Sequence, residues 1–224
     1  MRQVTPEDAP ELARLLQACG LDDNPNEARI ARVILNTTRI TLGEQGRDGG
    51  LIGFVDAFMT ASPDGVARWE VDLLGVHPNH RGKGIAQRLI GAVVAAGAQA
   101  GAQLFRAIVK TDNVASLTAF QHCGFANDET IHDLYVSDQP IAQADDLPPD
   151  AYLISVCTLT YSGIWIEGDH SLSALRYAQA VRTRYGWDVA GALAPAESAM
   201  PDGFALAGQY LHLRRKILTK QSVG

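Results

Sequence analysis

From Val66 to Val76 the sequence reads as a strand, and from Gln87 onward as a helix whose apolar positions 85, 89, 90, 93 and 94 lie on one face. Only a short turn separates them. Val76-His77-Pro78-Asn79-His80 ends the strand, and Arg81-Gly82-Lys83-Gly84-Ile85-Ala86 opens the helix. Strand, glycine-rich turn and helix in this order cradle an anion. Glycines let the backbone approach closely and adopt positive φ. The amides of the turn and of the first helical turn point one way and lack partners. Arg81 and Lys83 add positive charge, so a pyrophosphate fits. The GxxxxGK[ST] pattern of ordinary NTPases is absent. The dinucleotide pattern GxGxxG is incomplete, because Gln87 stands where its third glycine belongs, and no parallel βαβ run surrounds the turn.

The rest of the chain builds a mixed α/β domain around this segment. Met1–Val4 is a short strand. Thr5-Pro6-Glu7-Asp8 then caps a helix carrying Leu12, Leu15, Leu16 and Cys19, stopped by Gly20. A second helix fits Asn26–Asn36. Arg39–Leu42 and Leu51–Met59 read as antiparallel strands around the turn-rich Gly43–Gly50. After the central helix, Leu104–Lys110 is a buried strand. Asn113 caps a helix with Leu117 and Phe120 facing inward and Gly124 just past its end. Ile131–Val136 and Tyr152–Thr160 are two more strands, joined by the acidic, proline-bearing loop Ser137–Asp150.

Composition narrows the function classes. The 224 residues are 46% hydrophobic and 20% charged, as in a soluble globular protein. No apolar run approaches a membrane span, and the N-terminus lacks the basic-then-apolar order of a secretion signal. Cys19, Cys123 and Cys157 are widely spaced with no metal-like grouping, the pattern of a reducing cytoplasm. A net charge of −6 argues against a nucleic-acid partner. Residues 111–175 hold 10 Asp/Glu and no Lys or Arg, whereas residues 176–224 hold 7 basic and 3 acidic residues. The acidic stretch favours a cationic acceptor, a basic tail as its partner, or plain solvation.

Arg81-Gly82-Lys83-Gly84-Ile85-Ala86 resembles the R-x-x-G-x-G/A turn of the GCN5-related N-acetyltransferases, the GNAT superfamily. Val71–Pro78 resembles that family's fourth strand, which ends V-x-P. Asn113 with Gly124-Phe125 resembles its N-(x)10-G-F segment. Ile52-Gly53-Phe54 resembles its I-G-x third strand, and Thr5-Pro6-Glu7-Asp8-Ala9 its opening. The resemblance covers roughly residues 1–160. It implies an α/β (α+β) fold with a mixed, mostly antiparallel central sheet, splayed at the cofactor slot and flanked by helices. It also implies acetyl-CoA (coenzyme A) as donor and a small-molecule or peptide amine as acceptor, attacked directly in a ternary complex. Carried onto this chain, Arg81 and the amides of Gly82, Lys83, Gly84, Ile85 and Ala86 hold the pyrophosphate. The backbone of Leu74, Gly75 and Val76 pairs with the pantetheine arm, and Asn113 and Phe120 lie along the cofactor. For Asn113 a plain helix cap is the competing role.

Acetylation needs a neutral amine, hence a general base, often acting through water. No metal is called for, and His77 and His80 form no ligand set. Glu70 and Asp72 share parity with Leu74 and Val76, which predicts one face for all four. Asp72 stands where many relatives carry a base-like glutamate, and Glu70 is the second candidate. Many relatives also place a tyrosine acid seven residues after the asparagine. Here that residue is Phe120, which has no hydroxyl. Tyr135, His122 and Cys123 are the substitute donors. The departure keeps a second reading open, a non-catalytic acyl-CoA-binding or regulatory module on the same fold. A third is a nucleotide-phosphate binder using the turn alone.

The expected division is an acetyltransferase domain over residues 1–160 and a C-terminal αβ extension over 161–224. Gly163–Ile166 reads as strand, and Asp169-His170-Ser171 caps a helix through Arg184, ended by Tyr185-Gly186-Trp187. Ala194–Gly203 reads as loop and Phe204–Ile217 as strand. Gly186-Trp187 resembles Gly124-Phe125 in its place after a helix, so the extension is a candidate truncated second GNAT-like unit. It is equally a candidate homodimer surface. No membrane partner is expected.

Overall fold

The structure, a computed structural model, describes residues 1–196 and 202–216. The part of the expected 194–203 loop at residues 197–201, and Ile217, lie outside the described residues. The chain divides into two compact units. Of the described residues, the first holds 1–108, 113–127 and 213–216, and the second holds 109–112, 128–196 and 202–212. Among the described residues no helix is long and apolar enough to cross a membrane.

The first unit opens with β1 (Arg2–Gln3), a 3-10 turn at Pro6–Asp8, α1 (Ala9–Ala18) and α2 (Glu27–Ile34). Asp8 accepts from the Thr5 amide at 2.8 Å and pairs with Arg2, which holds its carboxyl down at about 2. The Asn26 side chain caps α2 by accepting from the Arg29 amide at 2.9 Å. Then come β2 (Arg39–Gln45), β3 (Leu51–Ala61), β4 (Ala67–Val76), α3 (Ile85–Gln99), β5 (Leu104–Lys110) and α4 (Val114–His122). The strand order is β1-β2-β3-β4-β5, antiparallel except for β4 with β5. One face of the sheet carries Gly53, which meets Ile85 and Leu89 of α3. The other carries Gly75, against Phe54 and the Cys19 thiol at the end of α1. Leu12, Leu16, Ile30, Phe54, Val55, Leu89, Ile90 and Phe105 form the core, each fully buried.

The second unit contains β6 (Ala126–Ser137, its first two residues belonging to the first unit), β7 (Ala151–Cys157), β8 (Ser162–Gly168), α5 (Leu172–Tyr185), β9 (Val189–Pro195) and most of β10 (Ala205–Lys216). β6 starts five residues before the expected Ile131. Its polar opening, Asn127-Asp128-Glu129-Thr130, has no apolar alternation to announce a strand. Ser171 caps α5 and Gly186, in the left-handed region, ends it. Alanines on the helix (Ala174, Ala178) face alanines on the sheet (Ala190, Ala192, Ala194) and let α5 pack closely.

β7 and β8 are antiparallel, and β8 is parallel to β9 through the α5 crossover. That repeats the order β3-β4-α3-β5 of the first unit. β8 and β9 are direct neighbours, so β8 answers β4 and β9 answers β5.

Candidate functional site

β4 and β5 are paired only at Arg68↔Leu104, Trp69↔Phe105 and Glu70↔Arg106. Beyond Glu70, β4 keeps its β3 partner alone. The cause is local. Asp56 pairs with Leu73 and the next residue, Ala57, with Val71, so Asp72 is the extra residue of a β-bulge. A bulge bends its strand and ends regular pairing. The opening is a cleft of about 550 Å³. Leu74, Gly75 and Val76 line one wall, and Asn113, Ser116, Thr118 and His122 of α4 line another.

Arg81, Gly82, Gly84, Ile85 and Ala86 line the floor where α3 begins. Gly84 caps α3 at φ +70°, and Gly82 lies at φ +75°. A Cβ on Gly84 would meet nothing closer than the Gln87 side chain at 3.5 Å, so glycine is needed for conformation and leaves open space in front of the amides. The first turn of α3 contains no acidic residue. An anion there meets unpartnered N–H groups and the positive end of a 15-residue helix. Arg88 braces the turn from behind. It donates to the Lys83 carbonyl at 3.0 Å and pairs with Glu44 at 2.8 Å, which holds the Glu44 carboxyl below its usual range. These features fit a pyrophosphate.

The other cofactor candidates divide. Asn113 caps α4, accepting from the Ser116 amide at 3.1 Å, and also lines the cleft. Lys83 does not line the cleft; its ammonium reaches the Asn79 carbonyl at 3.4 Å. Phe120 is outside the lining too. It is 3% exposed and stands edge-on to Phe125, ring centres 5.0 Å apart. Nine further lining residues, Gln87, His122 and Cys19 among them, were not named from the sequence as cofactor candidates. Gln87 and His122 face each other at 2.9 Å between Nε2 and Nδ1. Cys19 contacts Arg81, but burial outweighs that cation and pushes the thiol up. The spacing of these residues, from distant helices, carries no motif.

The bulge resets the alternation of β4. Cross-strand partners share a face, so Glu70, opposite Phe58, lies on the face away from Leu74 and Val76, opposite Val55 and Gly53. The common face predicted for Glu70 and Asp72 with Leu74 and Val76 is therefore corrected. The two carboxylates also differ in company. Glu70 is held by Arg106, by the Thr60 hydroxyl and by Arg68. Asp72 Oδ2 is shut off from solvent and has no hydrogen-bond partner. Burial, then the charge of Asp56, pushes Asp72 up to about 7. Tyr135 belongs to the second unit. It is buried in that unit's core, its hydroxyl donates to Asp133 at 3.2 Å, and burial raises it.

A family model described as the acetyltransferase (GNAT) family matches residues 11–125. Among solved structures, a GCN5-related N-acetyltransferase from Sphaerobacter thermophilus is 16% identical with a TM-score of 0.59, covering 96% of this chain and 94% of that one. A GNAT-family acetyltransferase from Streptococcus pneumoniae is 12% identical with a TM-score of 0.55, covering 96% and 98%. The PaiA N-acetyltransferase from Thermoplasma acidophilum, in complex with coenzyme A, is 18% identical with a TM-score of 0.51, covering 58% and 90%. The likeness is one of fold, a mostly antiparallel open sheet flanked by helices. No curated protein matches the chain.

Proposed function

The chain belongs to the GNAT family of acetyltransferases, and on that premise we propose that it transfers the acetyl group of acetyl-CoA to the amine of a small molecule or peptide, by direct attack in a ternary complex. The observation that carries this reading is the parting of β4 from β5 just ahead of an acid-free, two-glycine helix start. Acetyl-CoA, when bound, supplies an acetyl group activated as a thioester. Arg81 and the amides of Gly82, Gly84, Ile85 and Ala86 would hold its phosphates. The free edge of Leu74–Val76 offers N–H and C=O groups to the pantetheine arm. Asp72 takes the proton that the acceptor amine loses. Asp72 stands two residues before Leu74 and outside the cleft lining, so the proton travels through water. Glu70 positions Arg106 and is not the base. The second unit is a repeat of the β3-β4-α3-β5 core in which Gly168-Asp169-His170-Ser171 replaces the phosphate turn.

Calorimetry with acetyl-CoA, followed by CoA-thiol release over a panel of amines, tests the reading. Binding with amine-dependent release supports it. Binding without release from any amine leaves the non-catalytic module, for which the hydroxyl-free Phe120 speaks. No binding at all overturns both.

A further inference from the structure

Asp72 has a buried carboxylate neighbour of opposite character. Asp56 is 0% exposed and stands on β3 at the point where the bulge interrupts the register. Both its oxygens are occupied: Oδ1 accepts from the Thr41 hydroxyl at 2.7 Å, and Oδ2 takes the Arg39 guanidinium. Arg39 is buried as well, and lies 4.8 Å from the centre of the Phe58 ring. Arg39, Thr41 and Asp56 share a sheet face, because Arg39 pairs with Phe58 and Thr41 with Asp56 across β2 and β3. This clamp leaves Asp56 no freedom to turn away from the bulge.

We propose that Asp56, clamped by Arg39 and Thr41, is a positioning residue that sets the proton affinity of Asp72. The functional meaning of this rests on Asp72 being the proton acceptor of the proposed reaction. Two neighbouring carboxylates do not both ionise freely, and the one with better donors keeps the charge. Asp56 has a cation and a hydroxyl, while Asp72 Oδ2 has neither. Burial pushes the Asp56 carboxyl up as well, opposed by Arg39 and Thr41; but the buried Arg39 guanidinium keeps its charge and sits on Asp56, so the negative charge stays there and the proton goes to Asp72. The same logic separates acid from base in other two-carboxylate sites.

The surrounding charges are few. Asp56 from β3, Arg39 from β2 and Glu70 from β4 act on Asp72, with Asp56 outweighing Arg39. Glu70 is itself met by Arg106 of β5 and by Arg68. Of the helices packed on this sheet, α1 turns the Glu11 carboxylate to the Leu51 amide of β3, and no helix residue is among the charges acting on Asp72.

The test is a carboxyl ¹³C NMR titration of the ligand-free protein labelled at aspartate, with Asp72 assigned by Asp72→Asn. In the wild type Asp72 should titrate near neutrality. Asp56→Asn removes the negative neighbour and keeps Arg39, so the Asp72 midpoint should fall by at least about 1 pH unit. A midpoint that stays within about 0.3 unit overturns the proposal. Should Asp56→Asn fail to fold with Arg39 unpaired, the double variant Arg39→Met/Asp56→Leu takes its place, because apolar replacement of a buried ion pair is often tolerated. In it the midpoint should fall by a smaller amount, and an unchanged or raised midpoint overturns the proposal. Acetyl transfer retained by Asp72→Asn would sink the base assignment alone. An unmoved Asp72 midpoint would sink the role of Asp56 alone.

Discussion

Arg106 grips the Glu70 carboxylate with two nitrogens, Nη2 at 2.8 Å from Oε1 and Nε at 3.0 Å from Oε2, and these two residues are the last register pair of β4 and β5. The ion pair is thus a clasp at the apex of the cleft. Below it the strands are hydrogen-bonded; above it β4 presents a free edge. Two paired nitrogens hold a carboxylate in one orientation, which suits a structural acid better than a proton shuttle.

Glu70→Gln should loosen the clasp by removing the negative charge that Arg106 and Arg68 meet there. We expect a stability loss of about 1–3 kcal/mol by chemical denaturation and weaker acetyl-CoA binding. The pH midpoint of transfer should stay where it is in the wild type. A midpoint that moves with Glu70 would make Glu70 the base.

Asp72→Asn should lower kcat/KM by about 10²–10³. In the wild type the rate should rise with pH through a midpoint near the Asp72 value of about 7, because only the ionised form accepts a proton. The variant should lose that limb. A full limb in a folded Asp72→Asn protein would point to titration of the acceptor amine instead.

The same residue links pH to stability. Its carboxyl is raised in the folded state, from 3.8 to about 7. Its stabilising contribution is fully present below pH 3.8 and is lost as pH rises through about 7. The wild-type melting temperature should therefore fall between pH 5 and pH 8 by more than that of Asp72→Asn. Parallel melting curves for the two proteins would contradict the burial of an unpartnered Asp72.

Phe120→Tyr should not raise kcat. The ring is buried against Phe125 and outside the cleft lining, so the added hydroxyl would lack a partner at a cost of about 1–3 kcal/mol. Comparing kcat of wild type, Phe120→Tyr and Tyr135→Phe with one good acceptor checks this. A faster Phe120→Tyr would show that the missing hydroxyl is a lost acid. A drop in Tyr135→Phe would make Tyr135 the proton donor.

The glycine-rich turn, the helix that follows it and the caps at Asn113 and Ser171 were legible because each depends on residues within a few positions of one another. The bulge was not. Glu70-Val71-Asp72-Leu73-Leu74 alternates as well with one extra residue as without it, and only the partner strand reveals the skip. The Glu70–Arg106 clasp joins residues 36 apart, and Gln87 with His122 joins residues 35 apart. Arg39, Thr41 and Asp56 meet because two strands pair in one register, which composition does not display. Local chemistry therefore announced the glycine turn and the helix it starts, whereas the company of the carboxylates depended on tertiary register.

The central claim is acetyl transfer through the cleft between β4 and α4. Its most direct measurement is the initial rate of thiol release from acetyl-CoA, with and without amine, in wild type and in Gly84→Asp. The substitution sets a negative side chain before the α3 amides, in the open space that the Gly84 backbone leaves. The account predicts amine-dependent release by the wild type and none by a folded Gly84→Asp protein. Equal rates in the two proteins, or no amine-dependent release by a wild type that binds acetyl-CoA, would contradict it.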